Sequence, residues 1–227
     1  MNKKQSRKIE NKKEVLAWSM YDFANQPFTN LVVTFIYGTF FTTVIASNEI
    51  LGTQQWSHAV SITAIIVALL SPVMGAVADR GGYRKMFMFC FTWLTIIATT
   101  VLYFVLPGEV YRALFWFVIA NVGFEMGSVF CNAYLPDISH SKNIGRISGY
   151  GWSLGYVGGL IALALAMVFL VQAEMPIFGF GKGEVGAYEN IRATNLLVAI
   201  WFAIFSIPTF LFVKDRKPDT KALLQNV

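Results

Sequence analysis

The chain has 227 residues, of which 56% are hydrophobic and only 14% are charged. Soluble domains carry about 25% charged residues, so this composition excludes a soluble globule, and it also excludes a disordered chain or a coiled coil. A membrane-spanning helix needs about 20 apolar residues, so the length suffices for roughly six helices with short loops. The net charge of +5 agrees with the excess of basic residues in the cytoplasmic loops of membrane proteins, and no nucleic-acid partner is expected.

Six long runs of mostly uncharged residues follow one another along the chain. They cover residues 23–48, 50–78, 86–108, 113–136, 147–173 and 193–213. Each can cross a bilayer core of about 30 Å as a helix, and none shows the roughly ten-residue alternating segments of a barrel. The sequence therefore predicts an all-α integral membrane protein, with a basic segment at 1–14, a six-helix bundle at 15–213 and, at 214–227, a tail or the start of a linker.

The basic residues are distributed unequally between the two ends of the predicted helices. Fifteen of the 18 Lys and Arg residues lie in the N-terminal segment, the second and fourth loops and the C-terminal tail, and the others are Arg112, Lys182 and Arg192. Because cytoplasmic loops carry an excess of Lys and Arg, both termini are predicted to be cytoplasmic. We expect a multi-pass protein of a bacterial inner or plasma membrane.

The fourth run contains one charged residue, Glu125. Asn121, Ser128 and Asn132 fall within about 60° of it on a helix, so they form a polar face that is predicted to line a cavity. A charge inside the bilayer costs several kcal/mol and usually marks a functional site. Glu125 is therefore a candidate for binding a proton or solute. The alternative is a protonated strut that hydrogen-bonds another helix.

The first run opens with a second polar cluster. Asp22, Gln26 and, about 60° away, Asn25 share one helix face, and Pro27 disfavours regular helix at this point. A kink there would leave carbonyl groups free to hold a ligand or ion. The alternative is that Asp22 caps the N-terminus of the helix and Pro27 lies in its first turn.

Glycines recur at intervals of four in the fourth and fifth runs. The fourth run has Gly123 and Gly127, and the fifth has Gly151, Gly155 and Gly159. Such spacing lets helices approach closely, so we predict packing seams, with direct ligand binding by these glycines as the less favoured alternative.

The loop between the second and third helices resembles a motif of the major facilitator superfamily. The matching residues are Gly75, Asp79, Arg80, Gly82, Arg84 and Lys85. By charge alone this is an ordinary basic cytoplasmic loop. The resemblance implies a cytoplasmic gate that engages neighbouring helix ends, including one in the second half of the transporter.

Three further segments are similar to one branch of this superfamily, which includes the autophagy-related vacuolar effluxer. They are WSMYDFANQPF at 18–28, YLPD at 134–137 and SGYGWSLGY at 148–156. The resemblance implies the N-terminal half of a twelve-helix secondary transporter, built as a 3+3 inverted repeat, in which helices one and four line the central cavity. It also implies alternating access, and amino acids are the solutes of the fungal members. The chain departs from proton antiporters of the superfamily in having Glu125 where the fourth helix often carries Arg.

Two functions from different classes remain open at this point. In the first, Asp22, Asn25, Gln26, Asn121, Glu125 and Asn132 form a solute or proton pathway, and a second six-helix half completes the transporter. That half could belong to the same longer chain, a separate chain or a second copy. In the second, the chain is a six-helix protein that binds a partner without moving solute. An enzyme is not expected, because the sequence lacks a nucleophile–base pair, metal-ligand spacing or a phosphate-binding loop, so neither a metal nor a cofactor is predicted.

Overall fold

The computed structural model describes residues 11–215, and within them the chain forms a helical bundle. Six helical spans are long and apolar enough to cross a membrane. They are α1 (Lys12–Ile45), α2 (Glu49–Gly81), α3 (Arg84–Leu102), α4 (Val110–Ile138), α5 (Ile144–Val171) and α6 (Glu189–Phe212). The predicted all-α architecture of six transmembrane helices is confirmed. Most of the predicted segments 1–14 and 214–227 lies outside the described residues.

Helix α1 begins earlier than the apolar run that predicted it. Asn11 caps the helix by accepting a hydrogen bond from the amide of Lys13 at 3.2 Å. The buried Glu14 accepts a hydrogen bond from the amide of Lys214 at 3.2 Å, which ties the first turn to the chain just after α6. Asp22 lies ten residues inside the helix, so the alternative in which it is the N-cap is wrong.

The backbone of α1 becomes irregular directly after Pro27. Regular α-helix covers Lys12–Pro27, and a wider π-helical segment, Phe28–Phe35, follows it. Proline lacks an amide donor and crowds the preceding turn, and π-helical segments are common near functional sites. The irregular turn expected from the sequence is therefore present, and it directly follows the polar residues Asp22, Asn25 and Gln26.

The contacts that α1, α2 and α3 make with other helices correspond to those that α4, α5 and α6 make. Helix α1 packs on α5 and α6, α4 packs on α2 and α3, and α3 packs on α6. Exchanging α1 with α4, α2 with α5 and α3 with α6 leaves this set of pairs unchanged. Since the exchanged helices cross the membrane in opposite directions, the bundle has the predicted 3+3 inverted repeat.

Buried polar bonds connect the helices at several levels of the core. The indole of Trp18 donates to the carbonyl of Cys131 at 2.8 Å, and that of Trp201 donates to the carbonyl of Phe23 at 3.0 Å. Thr209 donates to the carbonyl of Ala17 at 2.7 Å. Each bond gives a buried donor a partner in an environment without water, and together they fix α1 against α4 and α6.

The five glycines predicted to form seams all lie against a neighbouring helix. A methyl group at Gly123 would overlap Thr95 of α3, and one at Gly127 would overlap the hydroxyl of Tyr21. The α5 glycines, Gly151, Gly155 and Gly159, lie against α1, where added methyl groups would meet Asp22, Gln26 and Asn30. The α5 seam therefore brings α1 close enough for its polar residues to share a cleft with α4 and α5.

Candidate functional site: a polar cleft between α1, α4 and α5

A cleft with a volume of about 430 Å³ opens between α1, α4 and α5. It is lined by Asp22, Asn25, Gln26, Thr29, Phe124, Glu125, Ser128, Asn132, Trp152, Gly155 and Tyr156. Five of the six residues predicted to form a pathway are among them. Helical geometry accounts for this, since the polar stripes of α1 and α4 occupy one face of each helix.

A hydrogen bond between two side chains links the α1 wall of the cleft to α4. The amide of Asn25 donates to the hydroxyl of Ser128 at 3.3 Å, and Asn25 is almost fully buried. Gln26 and Asp22 are partly exposed toward the cleft. The bond connects the two polar stripes at the level where α1 changes from α-helix to π-helix.

The α4 wall places Glu125 in the cleft without a fixed partner. Among the described residues, no hydrogen bond or ion pair reaches its carboxyl group, and the residue is exposed in the isolated six-helix bundle. The strut alternative requires a hydrogen bond to another helix, and the described residues form none with Glu125. Ser128 and Asn132 continue the same face.

Asn121, the sixth predicted pathway residue, does not line the cleft. It is buried, and so are its neighbours Ala120 and Val122. This turn of α4 packs inside the bundle, whereas the next two turns toward the C-terminus open onto the cleft. The helical periodicity placed Asn121 on the correct face but could not show where along that face the neighbouring helices close.

Helix α5 supplies two aromatic residues that sequence reasoning did not assign to the site. Trp152 and Tyr156 have ring centroids 5.9 Å apart and are more than half exposed. Their spacing of four residues, which places them on one helix face, was the available signal. The carboxyl group of Asp22 lies against Gly151 on this same helix.

The charge of the cleft has one sign. Among the described residues, two carboxyl groups, those of Asp22 and Glu125, line it, and no Lys, Arg or His does. Amide and hydroxyl groups and two aromatic rings complete the wall. Carboxylates and ring faces both attract cations, so the lining favours a cationic group or protons. No three His, Cys, Asp or Glu residues within 11–215 come together as a metal site.

The loop between α2 and α3 is fastened to the end of α4 through Arg84. Its guanidinium donates to Asp79 at 2.7 Å, to Asp137 at 3.1 Å and to the carbonyl of Ala133 at 3.3 Å. Arginine has the planar fork needed to join several acceptors at once. The YLPD segment, in which Asp137 stands, therefore serves as an anchor for this loop.

The other residues of the loop motif differ in what they contact. Lys85 donates to the carbonyl of Val213 at 2.8 Å, at the end of α6. Gly82 has a φ of 67°, the left-handed conformation that ends α2 and that glycine adopts without strain. A methyl group at Gly75 would meet nothing within 4 Å, and Arg80 and Asp79 are exposed. Within this bundle, Arg84 and Lys85 therefore contact the ends of α4 and α6. The surface formed by Gly75, Asp79 and Arg80 is left uncovered.

Comparison with known families gives a match over most of the chain. Residues 55–145 and 137–227 match the family described as vacuole effluxer Atg22 like.

Several curated proteins resemble the chain in part of their length. An uncharacterized MFS-type transporter, YxiO of Bacillus subtilis, is 27% identical over 90% of this chain and 47% of its own length. Autophagy-related protein 22 of Coccidioides immitis is 34% identical over 70% of this chain and 33% of its own length. An uncharacterized protein of Aquifex aeolicus is 28% identical over 78% of this chain and 48% of its own length. The chain thus spans about half or less of these relatives, and no solved structure matches it significantly.

Proposed function

We propose a function for the chain from one established premise: it belongs to the vacuole effluxer Atg22-like family. On this basis the chain is the N-terminal six-helix half of a secondary transporter of the major facilitator type. It moves a small solute across the membrane by alternating access. The cleft between α1, α4 and α5 is its part of the solute pathway.

The observation that carries the proposal is the composition of this cleft. Asp22 and Glu125 supply negative charge, Trp152 and Tyr156 supply ring faces, and Asn25 and Gln26 supply amides. A solute with an ammonium group and a few polar groups, such as an amino acid, matches this lining. The description of the matching family, vacuole effluxer Atg22 like, agrees with an effluxer role.

Proton coupling is supported by Glu125, whose carboxyl group has no partner among the described residues. A carboxylate inside the bilayer without a fixed cation is costly. It can be neutralised by a proton or by a cationic solute, and the two then compete for one site. Such competition couples proton release to solute binding.

The missing wall of the pathway is supplied by a second six-helix half. That half is part of a longer chain, a separate chain or a second copy of this one. Rocking between the halves opens the cleft to each side in turn, and the uncovered surface formed by Gly75, Asp79 and Arg80 meets the second half when the basic end closes. We place the basic end and both termini in the cytoplasm, in a bacterial plasma membrane, because most Lys and Arg residues lie there.

Solute chemistry is tested by binding to the purified protein, with the fluorescence of Trp152 as the reporter and Trp152→Phe as the blank. Each amino acid is compared with its decarboxylated amine and its deaminated acid. We expect the amino acid and the amine to bind and the deaminated acid not to bind. Equal binding of the deaminated acid would contradict a cation-selective cleft.

Transport is tested in proteoliposomes with an imposed pH gradient. Glu125→Gln should abolish proton-driven uptake, whereas Glu174→Gln, which removes an exposed carboxylate outside the cleft, should leave it intact. Proton-driven uptake that is unchanged in Glu125→Gln rules out the proton role. Partner binding without any solute movement would instead support the scaffold alternative.

A further inference from the structure

A second pocket lies between α1 and α5 near the basic end of the bundle, and it is separate from the polar cleft. It has a volume of about 530 Å³ and is lined by Lys12, Val15, Leu16, Ser19, Arg146, Tyr150, Ser153 and Leu154. None of these residues lines the cleft that contains Asp22 and Glu125. The transport proposal leaves this pocket without a role.

The side chains that line the pocket are charged at one end and polar or apolar deeper inside. Lys12 and Arg146 lie in the first turns of α1 and α5, and Ser19 and Ser153 lie seven residues further along the same helices. At 1.5 Å per residue, this offset is about 10 Å along the helix axes. The lining therefore offers two cations at one end and hydroxyl groups deeper, in an otherwise apolar wall.

Ser19 gives an independent sign that the pocket is built for a ligand. The residue is 2% exposed, and its hydroxyl oxygen has no hydrogen-bond partner among the described residues. A buried hydroxyl group without a partner is costly, and Ser19 is among the residues that line the pocket. A ligand oxygen in the pocket would supply the missing bond.

We propose that this pocket binds the headgroup of an anionic phospholipid. The phosphate lies between Lys12 and Arg146, the ester or glycerol oxygens reach Ser19 and Ser153, and the first part of an acyl chain runs along Leu16 and Leu154. None of the described residues that line the pocket is acidic. The nearby carboxyl group of Glu14 is engaged by the amide of Lys214. Basic pockets between helices at the cytoplasmic surface are suited to anionic lipids.

The change from charged to apolar side chains along the pocket favours a lipid over free phosphate. A phosphate ion would use the two cations and leave the apolar wall and the deeper hydroxyl groups uncovered. A phospholipid can contact the cations, the hydroxyl groups and the apolar wall at the same time. The proposal does not depend on which solute the polar cleft binds.

The test is native mass spectrometry of the detergent-solubilised chain with phosphatidylglycerol, phosphatidylcholine or glycerol 3-phosphate. We expect selective retention of phosphatidylglycerol. The double variant Lys12→Gln/Arg146→Gln should weaken this binding about thirtyfold, whereas Lys13→Gln/Lys142→Gln, which removes the same charge at positions outside the pocket, should not. Equal retention of the two lipids, equal loss in both double variants, or binding of glycerol 3-phosphate as strong as that of the lipid would overturn the proposal.

Ser19→Ala provides a second variant that does not depend on charge. Removing an unpaired buried hydroxyl group should leave thermal unfolding in lipid-free detergent unchanged or raise its midpoint. The same substitution should weaken phosphatidylglycerol binding about fivefold, because the ligand loses one hydrogen bond. Unchanged lipid binding in Ser19→Ala would also refute the proposed arrangement.

Discussion

The carboxyl group of Asp22 on α1 lies directly against Gly151 on α5, so closely that a methyl group at position 151 would overlap its Oδ2 atom. One glycine thus performs two tasks, since it lets the two helices approach and it leaves room for an acidic side chain at the cleft. The packing motif of α5 and the position of the candidate site residue Asp22 on α1 therefore depend on the same contact.

Substitution of Gly151 by Ala should destabilise the bundle by about 1–3 kcal/mol, the usual cost of inserting a methyl group into a packed site. The ring of Trp18 also lies within 3 Å of the added atom, and this ring cannot easily move away, because it is buried and hydrogen-bonded to the carbonyl of Cys131. Thermal unfolding in detergent measures the effect. Gly149→Ala is the matched control, because nothing lies within 4 Å of its Cβ position and alanine favours helix. An equal loss of stability in both variants would show that the contact with α1 is not the cause.

The hydrogen bond between Tyr21 and Thr92 should contribute measurable coupling across α1 and α3. Their hydroxyl oxygens are 2.8 Å apart and both side chains are buried. In membrane proteins such bonds average about 0.6 kcal/mol and reach about 1.7 kcal/mol. A double-mutant cycle with Tyr21→Phe and Thr92→Val should return a coupling energy in this range.

Thr99→Val is the control for this cycle on the same helix. The hydroxyl group of Thr99 is buried without a partner among the described residues, so its removal should be neutral or stabilising. A coupling energy of zero for the Tyr21–Thr92 pair, or a large loss in Thr99→Val, would contradict this account of the α3 hydroxyl groups.

Arg84 should resist replacement by lysine. Arg84→Lys keeps the charge but cannot join Asp79, Asp137 and the carbonyl of Ala133 simultaneously. Because the side chain of Arg84 is 28% exposed, we expect only about 1 kcal/mol of lost stability, together with faster proteolysis of the α2–α3 loop. Arg80→Lys, at an exposed position without a side-chain partner in the described residues, should change neither measurement. Wild-type behaviour of Arg84→Lys would show that charge alone holds the loop.

The opposite end of the bundle should depend on pH through Tyr103. Its hydroxyl group donates to Glu189 at 2.7 Å, and this hydrogen bond to a carboxylate, together with burial, raises the pKa of Tyr103 above its ordinary value. The neutral phenol is therefore favoured in the folded state. The stabilisation is fully present below the unfolded pKa of about 10 and is lost as pH rises through the folded pKa.

We expect Tyr103→Phe to cost about 1 kcal/mol at neutral pH and to lose its difference from the wild type in strongly alkaline solution. Chemical denaturation at pH 7 and above pH 10 tests this expectation. Tyr111→Phe, at a position 85% exposed, should show no difference at either pH. A constant difference between wild type and Tyr103→Phe across this pH range would mean that packing, and not the hydrogen bond, explains the effect.

The periodic features of the sequence were sufficient to predict the bundle and most of the cleft. Runs of apolar residues must become helices in lipid, because every backbone group there needs an internal partner. The helical repeat then places Asp22 with Gln26 and Glu125 with Ser128 on defined faces. These are local consequences of chain geometry, and they needed no knowledge of neighbouring helices.

Contacts between distant segments were decided only by the tertiary structure. It buried Asn121 while it left Glu125 open, brought Trp152 and Tyr156 to the cleft, and joined Arg84 to Asp137 across 53 positions of sequence. It also left the hydroxyl group of Ser19, at the wall of a basic pocket, without a hydrogen-bond partner in the described part of the chain. A one-dimensional pattern specifies the direction of a side chain around its own helix. How deep neighbouring helices close over that side chain depends on packing between elements, so only the assembled bundle determines it.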